Sequence, residues 1–389
     1  MSPVNPRPRL PATVFALGCV SFCTDLSSEM ILPLLPAFLA SLGGSQLQLG
    51  MLQGVGELVV SLLKVASGWL SDRQRARKPW MVVGYTLSSV LRPLVALVQA
   101  PWQAVVVRAG DRIGKGLRSA PRDALLTDVV DAAQRGQAFG LQRAMDHAGA
   151  IGGSLAAVAL LLGGCELRTV FALAAVPGAI AVLVLLLAVR ERPAAAATAA
   201  APHDPQQAGR RLVPFLGVVV FGTIGSSVDL FVLVRASELG VPLVQLPLLW
   251  AVLHVVRAAL SSPLGTLSDR LGRRRVIGAG LFVHALVMLL FAAMTVAAWL
   301  WPAFALHGLH AAFTEGAERG FVADLTGAHR RGTVFGIYHG VQGVAAFVGS
   351  MLLGGVWDAA GAGVAFTVAA AAALVALVVL VVAVPRHRP

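Results

Sequence analysis

The chain has 389 residues, of which 57% are apolar and only 13% are charged. A soluble globular protein usually carries about 25% charged residues, so the composition excludes an ordinary soluble domain and indicates an integral membrane protein. The net charge of +12 is the excess of lysine and arginine expected in cytoplasmic loops, and nucleic-acid binding is not expected.

Twelve apolar segments, separated by turn residues and charges, follow one another along the chain. Several approach or exceed the roughly 20 residues that a helix needs to cross a bilayer. They lack the period-two alternation of a membrane barrel. We therefore predict an all-α integral membrane protein with twelve transmembrane helices. The predicted spans are 12–40, 47–70, 79–99, 102–129, 137–163, 168–189, 213–235, 242–266, 275–296, 299–325, 333–355 and 362–385.

The first two predicted spans carry acids within apolar sequence. Asp25 and Glu29 lie one helical turn apart in the first span, and Glu57 lies in the second. Ionisable residues inside a membrane are costly, so they mark a functional site or an internal pair.

The fourth predicted span is far more charged than the rest of the chain. Its sequence "RAGDRIGKGLRSAPRDALLTD" (108–128) has eight ionic side chains. At about 100° per residue on a helix, seven of them share an arc of about 140°, and Asp128 lies opposite. Charges scattered over a lipid-facing helix would be very costly. We therefore predict that this helix is embedded in the membrane with its charges turned toward the protein interior.

A stretch rich in alanine and proline, 190–211, follows the sixth span and is basic at both ends. This composition is typical of a flexible linker. The predicted organisation is an N-terminal six-helix bundle (1–189), a cytoplasmic linker (190–212) and a C-terminal six-helix bundle (213–389).

The second half is less charged than the first. Asp229 lies in the seventh span, and His307, His310, Thr314 and Glu318 share an arc of about 80° on the tenth. Such a face has two interpretations. Its histidines and carboxylate relay protons, or the histidines only form hydrogen bonds with neighbouring groups. A metal site is not predicted.

Two motifs occur once in each half. "GWLSDRQRARK" (68–78) matches "GTLSDRLGRRR" (265–275), 197 residues further on. "DVVDAAQRGQAFG" (128–140) matches "DLTGAHRRGTVFG" (324–336), 196 residues further on. Their common order and offset indicate a duplicated six-helix unit.

The loop G-x-L-S-D-R-x-G-R-R, present after the second span and again after the eighth, resembles the signature loop of the major facilitator superfamily. The second copy is complete, whereas the first has Arg75 in place of the glycine and Ala76 in place of a base. Arg108 matches the arginine of the family's fourth-helix motif R-x-x-x-G-x-G, with Arg112 replacing the first glycine and Gly114 keeping the second.

The resemblance covers essentially the whole chain. It implies two six-helix bundles that rock about a site near the membrane midplane, a central cavity lined by the fourth helix, a monomer and no cofactor. The strings "FCTDLSSEM" and "GKGLRSAPRDAL" look like a bacterial branch of the family whose substrate is not well defined.

The signature loops suggest a gate. An acid at a helix end accepts backbone N–H groups and pairs with nearby arginines, and such contacts can form in one conformation and break in another. The alternative is that the basic residues only set the topology. The predicted gating residues are Gly68, Asp72, Arg73, Arg118, Arg122, Asp123, Asp128, Arg135, Gly265, Asp269, Arg270, Asp324 and Arg331.

Five bases and two acids share the charged face of the fourth span, and this surplus of cations has two interpretations. The bases bind an anionic substrate, or they pair with acids of other helices. Both remain open for Arg112 and Lys115, whereas pairing or gating is favoured for Arg118 and Arg122. The predicted substrate or cavity residues are Arg108, Arg112, Lys115, Glu57, His310 and Glu318.

Three acids are predicted to carry protons: Asp25, Glu29 and Asp229. A cavity of low dielectric favours the neutral carboxylic acid, whereas a nearby cation favours the carboxylate. Alternating access can switch an acid between these surroundings. The alternative for Asp25 and Glu29 is a permanent ion pair with the fourth helix.

The predicted function is secondary active transport of a small solute, coupled to protons and leaning toward an organic anion or another polar substrate. One alternative is a multidrug-type proton antiporter that exports lipophilic or cationic compounds. Another is a membrane sensor that does not transport. No nucleophile–base set or phosphate-binding loop indicates an enzyme. The predicted location is the bacterial inner membrane, with both termini cytoplasmic.

Overall fold

The computed structural model describes residues 10–74, 76–131, 134–191, 205–325 and 331–384, without the side chains of residues 72, 205–211 and 331–333. Within these ranges the regular structure is helical and contains no strand. The helices are α1 (Ala12–Glu29), α2 (Leu35–Ser41), α3 (Gln46–Gln74), α4 (Lys78–Leu91), α5 (Pro101–Asp128), α6 (Arg135–Leu162), α7 (Leu167–Leu173), α8 (Ala175–Ala188), α9 (Pro205–Ser226), α10 (Phe231–Glu238), α11 (Leu246–Leu271), α12 (Arg273–Ala293), α13 (Leu300–Asp324) and α14 (Arg331–Ala383).

Each predicted span lies on one helix or on two consecutive helices of the described chain. The first, sixth and seventh spans are α1 with α2, α7 with α8, and α9 with α10. The eleventh and twelfth spans both lie in α14, which bends at Gly361, where φ is 83°. Helix α9 begins at Pro205, inside the predicted linker, and residues 192–204 of that linker lie outside the described residues.

Most of these helices are apolar enough to cross a membrane. Nine stretches of the described residues qualify by length and composition, and one of them, 334–383, includes both predicted spans of α14. Helices α5 and α13 are not among the nine, but their 28 and 25 residues correspond to about 42 Å and 38 Å, more than the roughly 30 Å hydrocarbon core. The chain is a multi-pass membrane protein in which α5 and α13 must turn their charges inward.

The connections between helices define two ends of the molecule. We call one the basic end because its connections, 74–78, 128–135, 271–273 and 324–331, carry the clustered arginines and lysines. We call the opposite end the short-loop end.

Glycines make four turns at the short-loop end. Gly43, Gly164, Gly240 and Gly361 all have φ between 77° and 84°, a region that favours glycine because it has no Cβ. Gly43 and Gly240 lie 197 residues apart, as do Gly164 and Gly361. The turns are therefore related by the same offset as the signature loops.

In the described part of the chain, the hydrophobic core joins the two halves at the short-loop end. The largest cluster of buried apolar residues, at the short-loop end, combines both halves and includes Phe38, Phe171, Phe231 and Phe304. At the basic end each half has a separate cluster. Within the described residues, the halves therefore share one buried apolar cluster at the short-loop end, whereas toward the basic end each half has a cluster of its own.

The most extensive contacts between the halves are those of α3 with α14 and of α6 with α11, and α2 also contacts α10. Along the first pair, an added Cβ at Gly50, Gly54 or Gly354 would meet the backbone of the facing helix. Small residues let membrane helices approach closely, so these glycines set the α3–α14 spacing.

Candidate functional site

Helix α5 has a charged face and an apolar face. Pro101 stands at its first position, and the Gln103 side-chain oxygen accepts the backbone N–H of Gln99 at 2.8 Å, so the helix start is fixed locally. Trp102 and Val106 on the other face are exposed, as expected of side chains that meet lipid. The charged face of α5 comprises Arg108, Asp111, Arg112, Lys115, Arg118, Arg122 and Asp123.

Asp111 is the centre of a buried ion network. Its carboxylate accepts hydrogen bonds from Arg92 at 3.0 Å and from Arg108 at 3.3 Å. Arg92 also donates to the Thr24 carbonyl at 3.0 Å and to the Ser27 hydroxyl at 2.9 Å. All three charged side chains are buried. Arg108, predicted to line the substrate cavity, lies in this buried network.

Three further bases of α5 also have partners within the protein. Arg112 lies 3.6 Å from the Glu57 carboxylate, between α5 and α3. The Arg118 guanidinium stacks 4.2 Å from the centre of the Tyr85 ring, a cation–π contact. The Arg122 guanidinium lies 2.9 Å from the Asp123 carboxylate, 4.0 Å from that of Asp146 and 3.2 Å from the Ser21 hydroxyl.

Lys115 and Asp25 differ from these residues because neither side chain forms an ion pair or hydrogen bond with a described residue. Both are partly exposed. The charged groups that act most strongly on Asp25 are Asp146, Lys115, Arg118 and Glu29. The carboxylate and the ammonium group are thus neighbours that stay available to water, a proton or a ligand.

A polar cavity of about 180 Å³ lies in the second half. We call it the second-half cavity. Helix α13 supplies much of its wall, and α9, α11, α12, α14 and the segment between α9 and α10 supply the rest. Its polar lining residues are Thr223, Ser226, Asp229, Arg257, His307, His310, Thr314, Glu315, Glu318, Arg319, Tyr338 and Gln342.

The acids of this cavity have partners. Asp229 lies 3.1 Å from His307 Nε2, and Glu318 accepts the Tyr338 hydroxyl at 3.0 Å. The His310 ring nitrogen Nδ1 lies 3.0 Å from the Gly280 carbonyl. The structure therefore brings the predicted residues Asp229, His310 and Glu318 together around one cavity.

Polar contacts also join the halves. Trp250 of α11 donates to Glu29 of α1 at 2.7 Å, so Glu29 contacts the other half rather than α5. Arg143 of α6 lies 2.6 Å from Glu315 of α13. Lys64 of α3 is 3.4 Å from the His339 ring nitrogen of α14. These contacts have to change if the halves rotate relative to each other.

The two signature loops make related contacts at the basic end. In the second copy, Arg273 lies 2.9 Å from Asp324 and 3.4 Å from Asp269. In the first copy, where Ala76 replaces the corresponding base, Arg77 lies 3.5 Å from Asp128. A neighbouring arginine therefore provides a contact equivalent to the missing one.

A second base of each loop binds the end of a distant helix. Lys78 donates to the carbonyls of Leu186 at 3.0 Å and Val189 at 2.7 Å. Arg274 donates to the carbonyls of Leu380 at 3.2 Å and Val381 at 2.7 Å. The final carbonyls of a helix lack intrahelical donors, so these bases cap the sixth and twelfth spans.

The other predicted gating residues are dispersed. Gly68 packs near Ala120, whereas Gly265 has open space beside it. Arg73 lies 5.5 Å from the Trp69 ring, and Arg135 and Arg270 are exposed. The side chains of Asp72 and Arg331 lie outside the described residues.

Sequence reasoning did not select Arg92, Tyr338 or Arg257 as site residues. Arg92 lies in the third span, and an arginine inside a membrane span is itself a signal. Arg257 gives the same signal, but Tyr338 gives none until its contact with Glu318 is seen. The described residues contain no group of three or more His, Cys, Asp or Glu that could hold a metal ion.

Comparison with known proteins identifies the family. The sequence profile of the Major Facilitator Superfamily matches residues 17–256 and 214–389. The chain belongs to this superfamily. An uncharacterized MFS-type transporter of Methanocaldococcus jannaschii is 32% identical over 90% of this chain and 89% of its own length.

Two further comparisons concern a part of the chain and its fold. The multidrug resistance protein MdtH of Cronobacter sakazakii is 33% identical, but over only 30% of this chain and 29% of its own length. The solved structure of the nucleoside transporter NupG superposes with a TM-score of 0.79 at 14% identity, covering 95% of this chain and 99% of that one. The latter likeness concerns the fold.

Proposed function

We propose that this superfamily member is a secondary active transporter that moves a small solute by alternating access. The observation that carries the proposal is a polar interior, the charged face of α5 and the second-half cavity, in a protein whose halves share a core only at the short-loop end. In this function, residues 1–189 and 213–389 act as two six-helix bundles joined by the linker 190–212.

The substrate is an organic anion or another polar solute. Support comes from the cationic interior, in particular from Lys115, which has no acid partner among the described residues. An ammonium group that is not held in an ion pair attracts an anion from water. Arg112 remains a second contact in this proposal because its partner Glu57 is 42% exposed, so a substrate can displace that pair.

Asp25 carries the coupled proton. It lies in the interior of a membrane span, has no hydrogen-bond partner among the described side chains, and has both a like charge, Asp146, and an opposite charge, Lys115, as neighbours. Binding an anion at Lys115 would offset the attraction of that base for the Asp25 carboxylate. Substrate binding and proton uptake are thereby linked. Glu29 and Asp229 are further carriers in this scheme.

The basic end faces the cytoplasm, by the excess of lysine and arginine in its connections. The cytoplasmic gate involves the contacts of Asp128 and Asp324 with their arginines, which change when the basic ends of the bundles approach. The protein works as a monomer in the inner membrane of a bacterium, without a cofactor.

The first experiment measures the thermal stability of the purified protein against carboxylates, phosphates and lipophilic cations, below and above neutral pH. A ligand that binds the folded state raises the melting temperature by mass action. The stabilising ligand is then tested in proteoliposomes. Asp25→Asn is expected to lose accumulation driven by a proton gradient but to keep ligand exchange, because only the coupling group has been removed.

Glu166→Gln is the matched control, since it removes an exposed acid of the same half, and it should accumulate ligand normally. Normal gradient-driven accumulation by Asp25→Asn would refute the coupling role. Stabilisation by lipophilic cations alone would favour the second candidate, multidrug export, which the partial similarity to MdtH supports. Binding without any flux would favour a sensor.

A further inference from the structure

The second-half cavity contains one base, Arg257, that forms no ion pair with a described acid. Arg257, on α11, lines the cavity, its guanidinium forms no ion pair or hydrogen bond with a described residue, and its Nε is buried without a partner. Nearly all buried polar groups in proteins are hydrogen-bonded, and leaving one unsatisfied costs free energy. A guanidinium that lines a cavity and is held by no described acid is therefore open to a partner from outside the protein.

The remaining charges in the same wall are accounted for. Arg319 lies 3.5 Å from Glu315, which is also bound by Arg143. Asp229 is paired with His307 and Glu318 with Tyr338. Arg257 is thus the base of this cavity whose charge remains available for a ligand.

Two more polar groups of the cavity wall lack partners. The Nδ1 atom of His307 is buried and unsatisfied, and the Thr223 hydroxyl forms no hydrogen bond with a described residue. Both residues line the cavity together with Arg257. The site is therefore built from a charged donor and two adaptable hydrogen-bonding groups.

We propose that Arg257 binds the anionic group of the transported solute in the second-half cavity. A guanidinium presents two parallel N–H groups to a carboxylate or phosphate. This assignment rests on the proposed transport function and adds to it a substrate seat in the half opposite α5.

The cavity also limits the size of the solute and the polar groups that it can carry. Its volume of about 180 Å³ is below the roughly 300 Å³ at which pockets for drug-sized ligands begin. The carboxylates of Asp229 and Glu318 in the wall accept hydrogen bonds from a ligand. The solute is therefore a small organic anion that also carries hydroxyl or amino donors, such as a hydroxy acid, an amino acid or a sugar phosphate.

The test measures binding with the full-length purified protein. Malate, serine, glycerol phosphate, inorganic phosphate and tetraphenylphosphonium are titrated, with melting temperature and calorimetry as readouts. At least one of the three organic anions or zwitterions should bind, and Arg257→Gln should weaken its affinity about tenfold or more. Arg257→Lys should recover part of the loss, since the charge remains but the two-pronged contact does not.

Arg275→Gln is the matched control because it removes an exposed arginine of the same half at the basic end, and it should bind like the unchanged protein. Equal affinity in Arg257→Gln overturns the assignment, as does binding of tetraphenylphosphonium alone or of no probe. Should Arg257→Gln fail to fold, unchanged affinity in Arg257→Lys, with the same enthalpy of binding, overturns it. Flux in proteoliposomes is measured separately: binding at Arg257 without flux would refute the transport function and leave this site intact.

Discussion

Among single residues, Asp111 is a buried acid that lies between two buried arginines. It is 2% exposed, between Arg92 at 3% and Arg108 at 5%. Burying three charges is costly, and their mutual attraction offsets that cost only when all partners are present. The network therefore fixes how the first, third and fourth spans pack.

We expect Asp111→Asn to lower the free energy of unfolding by about 3 kcal/mol, because two buried arginines then lose their counter-charge. Chemical denaturation and the melting temperature in detergent measure this effect. Asp123→Asn on the same helix is the control. Its partner Arg122 is 21% exposed and Asp123 itself 37% exposed, so the loss should stay below about 1 kcal/mol. Equal losses in the two variants would contradict this interpretation of the network.

Among the helices, α3 has an unusual beginning. Two backbone N–H groups of its first turn, those of Gln46 and Leu47, each donate to the Asp358 carboxylate at 2.9 Å. Asp358 belongs to α14, in the other half. An acid at a helix N-terminus satisfies unpaired donors and interacts favourably with the helix dipole. This cap exists only while the halves meet at the short-loop end.

Asp358→Ala is expected to favour separation of the halves at the short-loop end by about 1 kcal/mol. The ratio of molecules open at that end to molecules closed there should therefore rise roughly fivefold. Spin labels at the exposed positions Gln99 and Ala298 report the separation as longer distances.

Ser45→Ala provides the control for the cap. The Ser45 hydroxyl accepts the Gln48 N–H at 3.3 Å within the same half, so its loss weakens the helix start without touching the contact between halves. A distance distribution that changes as much in Ser45→Ala as in Asp358→Ala would show that the cap has no role in closure.

At the scale of the whole molecule, the positions of the buried apolar clusters indicate which end of the protein is closed. A shared core at the short-loop end and separate cores at the basic end are expected of a transporter closed on one side. The α3–α14 contact needs glycine for its close approach, so its glycines control whether the halves can close.

Gly354→Ala should open the short-loop end, because the new methyl group would meet the backbone of Gln46 and Leu47. Overpacking of this kind costs about 1–3 kcal/mol. Longer Gln99–Ala298 distances and a lower melting temperature are the expected readouts. Gly340→Ala, on the same helix but with open space around the added methyl group, should leave the distance unchanged and gain up to about 1 kcal/mol from helix propensity. A normal distance in Gly354→Ala would contradict the proposed role of this contact.

The sequence by itself determined the helical membrane fold, the family and the inward direction of the charges on α5. These follow from composition, from the period of the helix and from motifs repeated at a fixed offset, all of which are local properties of the chain. It also selected Asp25, Asp229, His310 and Glu318, because an ionisable residue inside an apolar span is visible without any coordinates.

Only the tertiary structure decided which charges are already paired. Arg108 and Arg257 look alike in sequence, each a base within a membrane span. One is neutralised by Asp111 on its own helix, whereas the other faces a cavity without a partner among the described residues. The Asp358 cap joins residues 312 positions apart. Ion pairs and caps of this kind depend on distances between helices, which the packing of the two halves sets and which no local pattern contains.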